Sequence, residues 1–349
     1  MKNIKKAMMS CLLGLKCILP IDAMAEPNPM NVLFIGNSYT HMHDMPKLFE
    51  KIAISKNVKI NVEMSAKSSH TFQMHCNRPE MFEKINSKNW DYIVIQGFSR
   101  ELMYDYTQID TASIPYFNRI LDSIYANNPC TNILLYMTWG YKNGSELLPE
   151  TDSYLKMTER VANGYKYLSN IYNLPIVPVG DVWKFVREKY PNLNLYMPDD
   201  QHPTLTGSFL VACTFYSAIF KSSPLEGYSS SLDTKDADLI QRAAYEVVTN
   251  SIDTYKLRQN TLEVKYERTK SNAYFVFCKA YYPYAKSIRW DFGDGNYSWE
   301  KNVVYKYKKS GTYMLKLTVN DECGIREIYR RIYFKESKKT STKKTQKPK

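Results

Sequence analysis

Two short segments of this chain hold the residue types from which a hydrolytic site can be assembled. The first is Val32-Leu33-Phe34-Ile35-Gly36-Asn37-Ser38-Tyr39-Thr40, an apolar run that ends in a Gly-Asn-Ser turn. The second, far downstream, is Asp199-Asp200-Gln201-His202-Pro203. A serine hydroxyl is a weak nucleophile at neutral pH. It becomes effective when an imidazole takes its proton and a carboxylate fixes the tautomer of that imidazole. Ser38 stands where a buried strand turns toward a helix. Asp199 precedes His202 by three positions, and Pro203 closes the segment. Ser38, His202 and Asp199 are thus the candidate nucleophile, general base and orienting carboxylate. The competing structural roles are helix capping by Ser38 and a capping pair of Asp199 and His202 before the helix that follows.

Such a site needs a frame that brings residues 38 and 199–202 together. Apolar strand candidates fall at 31–35, 59–64, 92–95, 132–137 and 176–179. Helical patterns lie at 46–56, 79–85, 109–126 and 152–172, followed by 203–220 and 236–257. Strands that are apolar throughout and alternate with helices predict a parallel sheet covered on both faces. Right-handed crossovers then give a doubly wound α/β fold of the flavodoxin-like type. In such sheets ligands sit beyond the carboxyl ends of the strands, which is where Ser38 and the His202 segment would both lie.

These segments resemble the SGNH (GDSL-like) hydrolase family over roughly residues 30–257. Gly36-Asn37-Ser38 matches its first block, which carries the nucleophile, and Asp199 to Pro203 matches its Asp-x-x-His-Pro block. Asp200 fits that spacing less well than Asp199. The resemblance implies an oxyanion hole made by the Ser38 amide, a glycine amide after the second strand and an asparagine side chain after the third. Here the second region reads Ser65-Ala66-Lys67-Ser68-Ser69-His70, with Ser69 or Ser68 where glycine is expected. The third reads Ile95-Gln96-Gly97-Phe98-Ser99, with Gln96 in place of asparagine. A branch of the family with glutamine there, and with Met-Thr-Trp after the next strand, is similar at Gln96 and Met137-Thr138-Trp139. Asn37 replaces the commoner aspartate and is read as shaping the turn. Trp139 lines the cleft or packs in the core.

The resemblance implies a serine esterase that requires neither metal nor organic cofactor. Its substrate would be an ester-bearing small molecule or an acylated glycan, and deacetylation of glycans follows by analogy only. The alternative is a weak or inactive protein of the same fold that binds glycans or acts as a scaffold. His41 and His43 have a chelating spacing but no carboxylate motif beside them, so a surface or substrate-edge position is expected. His70 and His75 are expected at the cleft edge or on the surface.

From residue 261 the pattern changes to short alternating strands at 273–279, 287–291, 303–307 and 313–319. The signature is Trp290-Asp291-Phe292-Gly293-Asp294-Gly295, followed by Tyr305-Lys306-Tyr307 and Gly311-Thr312-Tyr313. Asp-Gly is a hairpin signal. This part resembles a PKD-type immunoglobulin-like module, which implies a small all-β sandwich over 261–335. Such modules act as spacers or contact polysaccharide or protein. The Asp291/Asp294 pair is explained by turn geometry.

The remaining composition sets limits. A chain of 349 residues allows two or three domains, and 44% apolar content allows a sizeable core. Lys2, Lys5 and Lys6, an apolar stretch over 7–19 and Ala23-Met24-Ala25 read as a leader at 1–25, with the catalytic domain at 26–257. No stretch is long enough for a transmembrane segment. The net charge of +12 overstates the body: the leader holds +3 and the lysine-rich run 336–349 holds +5, leaving +4. That run is read as a disordered basic tail. No basic aromatic stripe suits nucleic acid. The 29 tyrosines suit either polar-ligand contact or packing. Export would place the protein in the periplasm, on the cell surface or outside the cell. Cys76, Cys130, Cys213, Cys278 and Cys323 remain after the leader, at spacings unlike structural zinc sites. A Cys278–Cys323 bridge within the sandwich is a possibility in an oxidising compartment.

Overall fold

Five runs of apolar residues form one parallel sheet: β1 (Met30–Gly36), β2 (Ile60–Ala66), β3 (Tyr92–Ile95), β4 (Asn132–Tyr136) and β5 (Ile176–Val177). Their order is β2-β1-β3-β4-β5, the flavodoxin-like doubly wound arrangement expected from the sequence. The computed structural model describes residues 28–258, 261–271 and 273–335; the expected leader at 1–25 and the basic tail at 336–349 lie outside the described residues. β1 is an interior strand between β2 and β3, and Val32, Leu33, Phe34 and Ile35 are all buried. A strand buried on both faces must be apolar at every position, which is why no alternation marks it. Gly36 pairs in register with Ala66, and Ile35 with Ile95, so β1, β2 and β3 end together. That shared end fixes where the loops carrying Ser38, Ser69 and residues 96–101 emerge.

Helices cover both faces. On one side α2 (Met45–Ser55), α8 (Val179–Lys189), α9 (Leu205–Phe220) and α10 (Thr234–Asn250) pack together. α9 is buried at every position from Gly207 to Ile219, as a helix enclosed by neighbours must be. On the other side lie α3 (Phe72–Cys76), α4 (Pro79–Asn86), α5 (Tyr106–Ala112), α6 (Ile114–Asn127) and α7 (Tyr154–Tyr172). The short α1 (Ser38–His41) follows β1 directly.

Several elements depart from the sequence reading; the helix expected over 236–257 ends at Asn250, and α3 was not expected. The single helix expected over 109–126 is two, α5 and α6, joined at Ser113. Pro115 has no N–H to donate and crowds the preceding turn, so the new helix starts there. The strand expected over 176–179 stops at Val177, and α8, which the sequence reading did not include, begins at Val179. Pro178 ends the ladder. Asp181 in the first turn and Arg187 and Lys189 in the last suit the helix dipole.

The second unit is an all-β sandwich, as expected. One sheet has the order β10-β7-β6, from β6 (Thr261–Arg268), β7 (Tyr274–Tyr281) and β10 (Asn302–Tyr307). The other has the order β12-β11-β8-β9, from β8 (Ser287–Asp291), β9 (Tyr297–Ser298), β11 (Gly311–Asp321) and β12 (Gly324–Phe334). Trp290, Tyr307, Leu317 and Val276 meet in its core. The Asp-Gly turns behave as the sequence suggests. Gly293 and Gly295 have φ of 75° and 91°, and a Cβ on Gly293 would stand 2.6 Å from the Met314 carbonyl oxygen. Asp291 Oδ1 accepts from the Gly293 amide, and Asp294 Oδ2 accepts from the Tyr305 hydroxyl at 2.7 Å.

The expected Cys278–Cys323 bridge is corrected. Cys323 is joined to Cys130 in the α/β unit, 193 residues earlier, and Cys278 is a buried free thiol. Cys278 lies within β7 and faces the sandwich core, whereas Cys323 occupies the tight turn between β11 and β12. That turn abuts the loop leading into β4. Near the disulfide, Asn173 Nδ2 donates to the Tyr284 hydroxyl at 2.5 Å. A cavity of about 290 Å³ lined by Cys130, Asn173, Tyr284 and Arg326 lies at this junction. The sandwich therefore meets the amino-terminal edge of the parallel sheet, opposite the edge beyond which Ser38 lies.

Candidate active site

Asn37 follows β1, and its Oδ1 accepts from the Tyr39 amide at 3.1 Å, capping α1. Ser38 is thereby the first residue of α1, and its amide N–H has no acceptor inside the helix. Across the site, the segment 199–203 is a tight turn. Asp199 Oδ1 accepts from the amides of Gln201 and His202, each at 3.0 Å. Asp200 adopts a left-handed φ of 60°, and its carboxylate turns away to Lys142 Nζ at 3.1 Å and Asn143 Nδ2 at 3.0 Å. The carboxylate that meets the histidine is that of Asp199: its Oδ2 is 2.5 Å from His202 Nδ1. His202 Nε2 is in turn 2.9 Å from Ser38 Oγ. Burial alone would raise the Asp199 carboxyl, but the bonds from the His202 ring and from the two amides outweigh it and hold the group below the usual carboxylate range. Asp199 thus stays ionised beside an imidazole that faces a serine hydroxyl. Such a chain can carry a proton from the hydroxyl to Nε2 while the carboxylate stabilises the imidazolium that forms.

Buried aromatic rings support this turn. Tyr39 stacks on Trp139 at 4.4 Å, Trp139 stacks on Trp183 at 3.8 Å, and Tyr39 meets the His202 ring in a T-shaped contact at 5.7 Å. Trp139 Nε1 donates to the Gln201 carbonyl at 3.2 Å, and His43 Nε2 lies 3.1 Å from the Pro203 carbonyl. Trp139, left open between cleft and core, is fully buried. Tyr39 and Trp183 belong to the same support, which the sequence reading missed. Their signal was only the recurrence of large aromatics near strand ends.

The residues expected to complete the oxyanion hole separate. Ser69 reaches the site: with Ser38 and His202 it lines a cavity of about 250 Å³. Its φ is 61°, the left-handed region that favours glycine, so the serine sits in a backbone position built for glycine. Ser68 instead meets His41, with its Oγ 2.8 Å from Nε2. The expectation for Gln96 is corrected. Its side chain is fully buried and turns beneath the β1–α1 turn. Its Oε1 accepts from the Asn37 amide at 3.0 Å and from the Thr40 hydroxyl at 2.8 Å. Its Nε2 donates to Asn37 Oδ1 at 2.9 Å and to the Gly97 carbonyl at 2.6 Å. The amide that was to face the substrate is already occupied. A Cβ on Gly36 would come within 2.5 Å of Gln96 Oε1, so this packing also requires the glycine.

Asn37 shows the complementary pattern. Its Oδ1 is fixed by two donors, Tyr39 N and Gln96 Nε2, while its Nδ2 is buried and without an acceptor among the described residues. Asn37 lines the same cavity as Ser38. The expectation for His75 is also corrected: it is buried, and burial lowers its pKa to about 4, with Arg78 acting in the same direction. Among the described residues, no group of three or more His, Cys, Asp and Glu side chains is arranged to hold a metal ion, and no helix is long and apolar enough to cross a membrane.

Comparison with known proteins agrees with this architecture. A family model described as PKD domain matches residues 283–334, which span β8 to β12. A curated relative, collagenase ColA of Clostridium perfringens (strain 13 / Type A), is 51% identical over 39 residues. That match is 11% of this chain and only 4% of the collagenase. Among solved structures, a DUF4886 family protein from Bacteroides uniformis ATCC 8492 superposes with a TM-score of 0.52 at 20% identity, covering 63% of this chain and 95% of that one. Axe2, an acetylxylan esterase from Geobacillus stearothermophilus, gives a TM-score of 0.40 at 18% identity, with 54% and 93% covered. The chain joins a doubly wound α/β unit, which shares its fold with that DUF4886 family protein, to an all-β unit whose residues 283–334 match the PKD domain model.

Proposed function

We propose that this protein is an exported serine esterase. The observation that carries the reading is the continuous chain from Asp199 Oδ2 through the His202 ring to Ser38 Oγ, at 2.5 and 2.9 Å, opening on a small cavity. Ser38 attacks an ester carbonyl as His202 takes its proton. His202 then protonates the departing alcohol, and water releases the acyl group by the reverse sequence. The amides of Ser38 and Ser69 are the backbone donors to the developing oxyanion. Asn37 Nδ2, buried and without an acceptor, takes the side-chain role that Gln96 does not fill. The expected leader and the Cys130–Cys323 disulfide support export, because disulfides persist in oxidising compartments. An acylated glycan is the substrate class favoured by the attached sandwich, a module that contacts polysaccharide in the resemblance described above.

The test is turnover of 4-nitrophenyl acetate by the purified chain, with absence of turnover sinking the reading in favour of a binding or scaffolding protein. Asn37→Asp tests the donor. The carboxylate still accepts from the Tyr39 amide and from Gln96 Nε2, but it cannot donate. A lost oxyanion donor costs about 3 kcal/mol, so kcat should fall by about 10²-fold with little change in KM. Wild-type kcat in this variant would return Asn37 to a purely structural part.

A further inference from the structure

Arg100 stands at the mouth of the loop that follows β3 and lines the same cavity of about 250 Å³ as Ser38 and His202. The other residues lining that cavity include Asn37, Tyr39, Ser69, Ser99 and Tyr141, and none of its lining residues is an aspartate or glutamate. Arg100 also borders the adjoining groove, of about 380 Å³, which it shares with Phe98. Its guanidinium lies over the Phe98 ring at 5.4 Å, a contact that orients the group but satisfies none of its N–H donors. Nε is buried and meets no acceptor among the described residues.

The adjacent carboxylate does not compensate it. Glu101 accepts from the amides of Phe72 and Phe98, and burial pushes its carboxyl up to about 7, against the pull of those bonds. Other arginines of the chain show the alternative. Arg258 pairs with Asp253, and Arg187 donates to the Lys142 carbonyl and the Tyr196 hydroxyl while it stacks on Tyr154. Arg100 as a whole is half-buried, so its guanidinium remains open to the cavity while its Nε donor is buried without a partner among the described residues, an arrangement that an anion bound there would offset. The planar fork of a guanidinium matches a carboxylate with two parallel hydrogen bonds.

We propose that Arg100 is an anion-recognition residue of this site, and that the preferred ester carries a carboxylate close enough to occupy the same cavity as its scissile carbonyl. The inference rests on the esterase reading for its setting, and it names the class of ester. An acidic sugar acylated near its carboxylate and a half-ester of a dicarboxylic acid share this chemistry. They differ in whether the charge lies on the alcohol or the acyl side.

Two substrate pairs separate those cases and keep the test independent of general activity. On the acyl side, the 4-nitrophenyl monoester of glutaric acid is compared with 4-nitrophenyl pentanoate. On the alcohol side, 4-acetoxybenzoate is compared with 4-acetoxybenzamide. In at least one pair the anionic ester should have a kcat/KM at least tenfold above its neutral partner, after correction for uncatalysed hydrolysis. Arg100→Gln should abolish that preference through KM, so that within the variant each anionic ester has a kcat/KM no higher than its neutral partner, and Arg100→Lys should retain only part of the preference. Equal or lower kcat/KM for both anionic esters, or a preference that survives Arg100→Gln, overturns the proposal. If no ester is hydrolysed at all, the esterase reading falls separately. Calorimetric titration with glutarate and with benzoate then decides: binding of either that is lost in Arg100→Gln sustains the anion site, and no binding of either overturns it.

Discussion

Ser38→Ala is expected to lower kcat on 4-nitrophenyl acetate by about 10⁴-fold or more while the protein keeps its fold. The hydroxyl contributes one bond, to His202 Nε2, so its removal disturbs little packing. It does remove the hydroxyl that His202 faces, and with it the proposed covalent route. A fluorophosphonate probe should label the unaltered protein at Ser38 and leave the alanine variant unlabelled. Peptide mapping that places the label elsewhere, or turnover by the variant within tenfold of normal, would remove Ser38 from the mechanism. His202→Ala should be nearly as damaging, and the double variant no worse than either single one, because the two groups act as a unit.

Gln96→Ala is expected to be costly in a different quantity. Both ends of this buried amide are bonded: Asn37 N and Thr40 Oγ1 donate to it, and Asn37 Oδ1 and the Gly97 carbonyl accept from it. Deleting it strands several buried polar groups, each at about 1–3 kcal/mol. A loss of about 3–5 kcal/mol in urea unfolding is expected, a large part of the roughly 5–15 kcal/mol available to a typical domain. A variant of unchanged stability with kcat lowered several hundredfold at constant KM would reinstate Gln96 as an oxyanion donor. The two results exclude each other, so denaturation and kinetics together decide the assignment.

The parallel sheet was legible because its strands are uninterrupted apolar runs separated by helical periodicity, and that pattern needs only near neighbours along the chain. The positions of Ser38, Asp199 and His202 were equally readable, since each sits at a strand end or in a turn with its own local signature. What escaped was direction. Residue 96 follows the last residue of β3, and nothing local says whether its side chain turns toward the cavity or under the β1–α1 turn; the acceptor and donor on Asn37 decide it. The stack of Tyr39, Trp139 and Trp183 joins three distant segments and has no signature in any one of them. The disulfide was missed for the same reason. Cys278 and Cys323 are close in sequence, but β7 buries the first in the sandwich core while the turn after β11 carries the second to the other unit. Pro115 is a local sign that 109–126 divides into two helices, because a proline lacks the N–H that a continuous helix needs there.

The Cys130–Cys323 bond gives the chain a second route between its two units, besides the single crossing from Arg258 to Thr261. That crossing lies within the 193-residue loop that the disulfide closes, so a single cut there would open the loop and leave the two fragments joined by the Cys130–Cys323 bond alone. The cut protein would migrate as one species until a thiol reductant is added, and as two afterwards. A chain nicked between Arg258 and Thr261 would still carry its sandwich, so the separation of the two units is set by local reducing power and not by proteolysis alone.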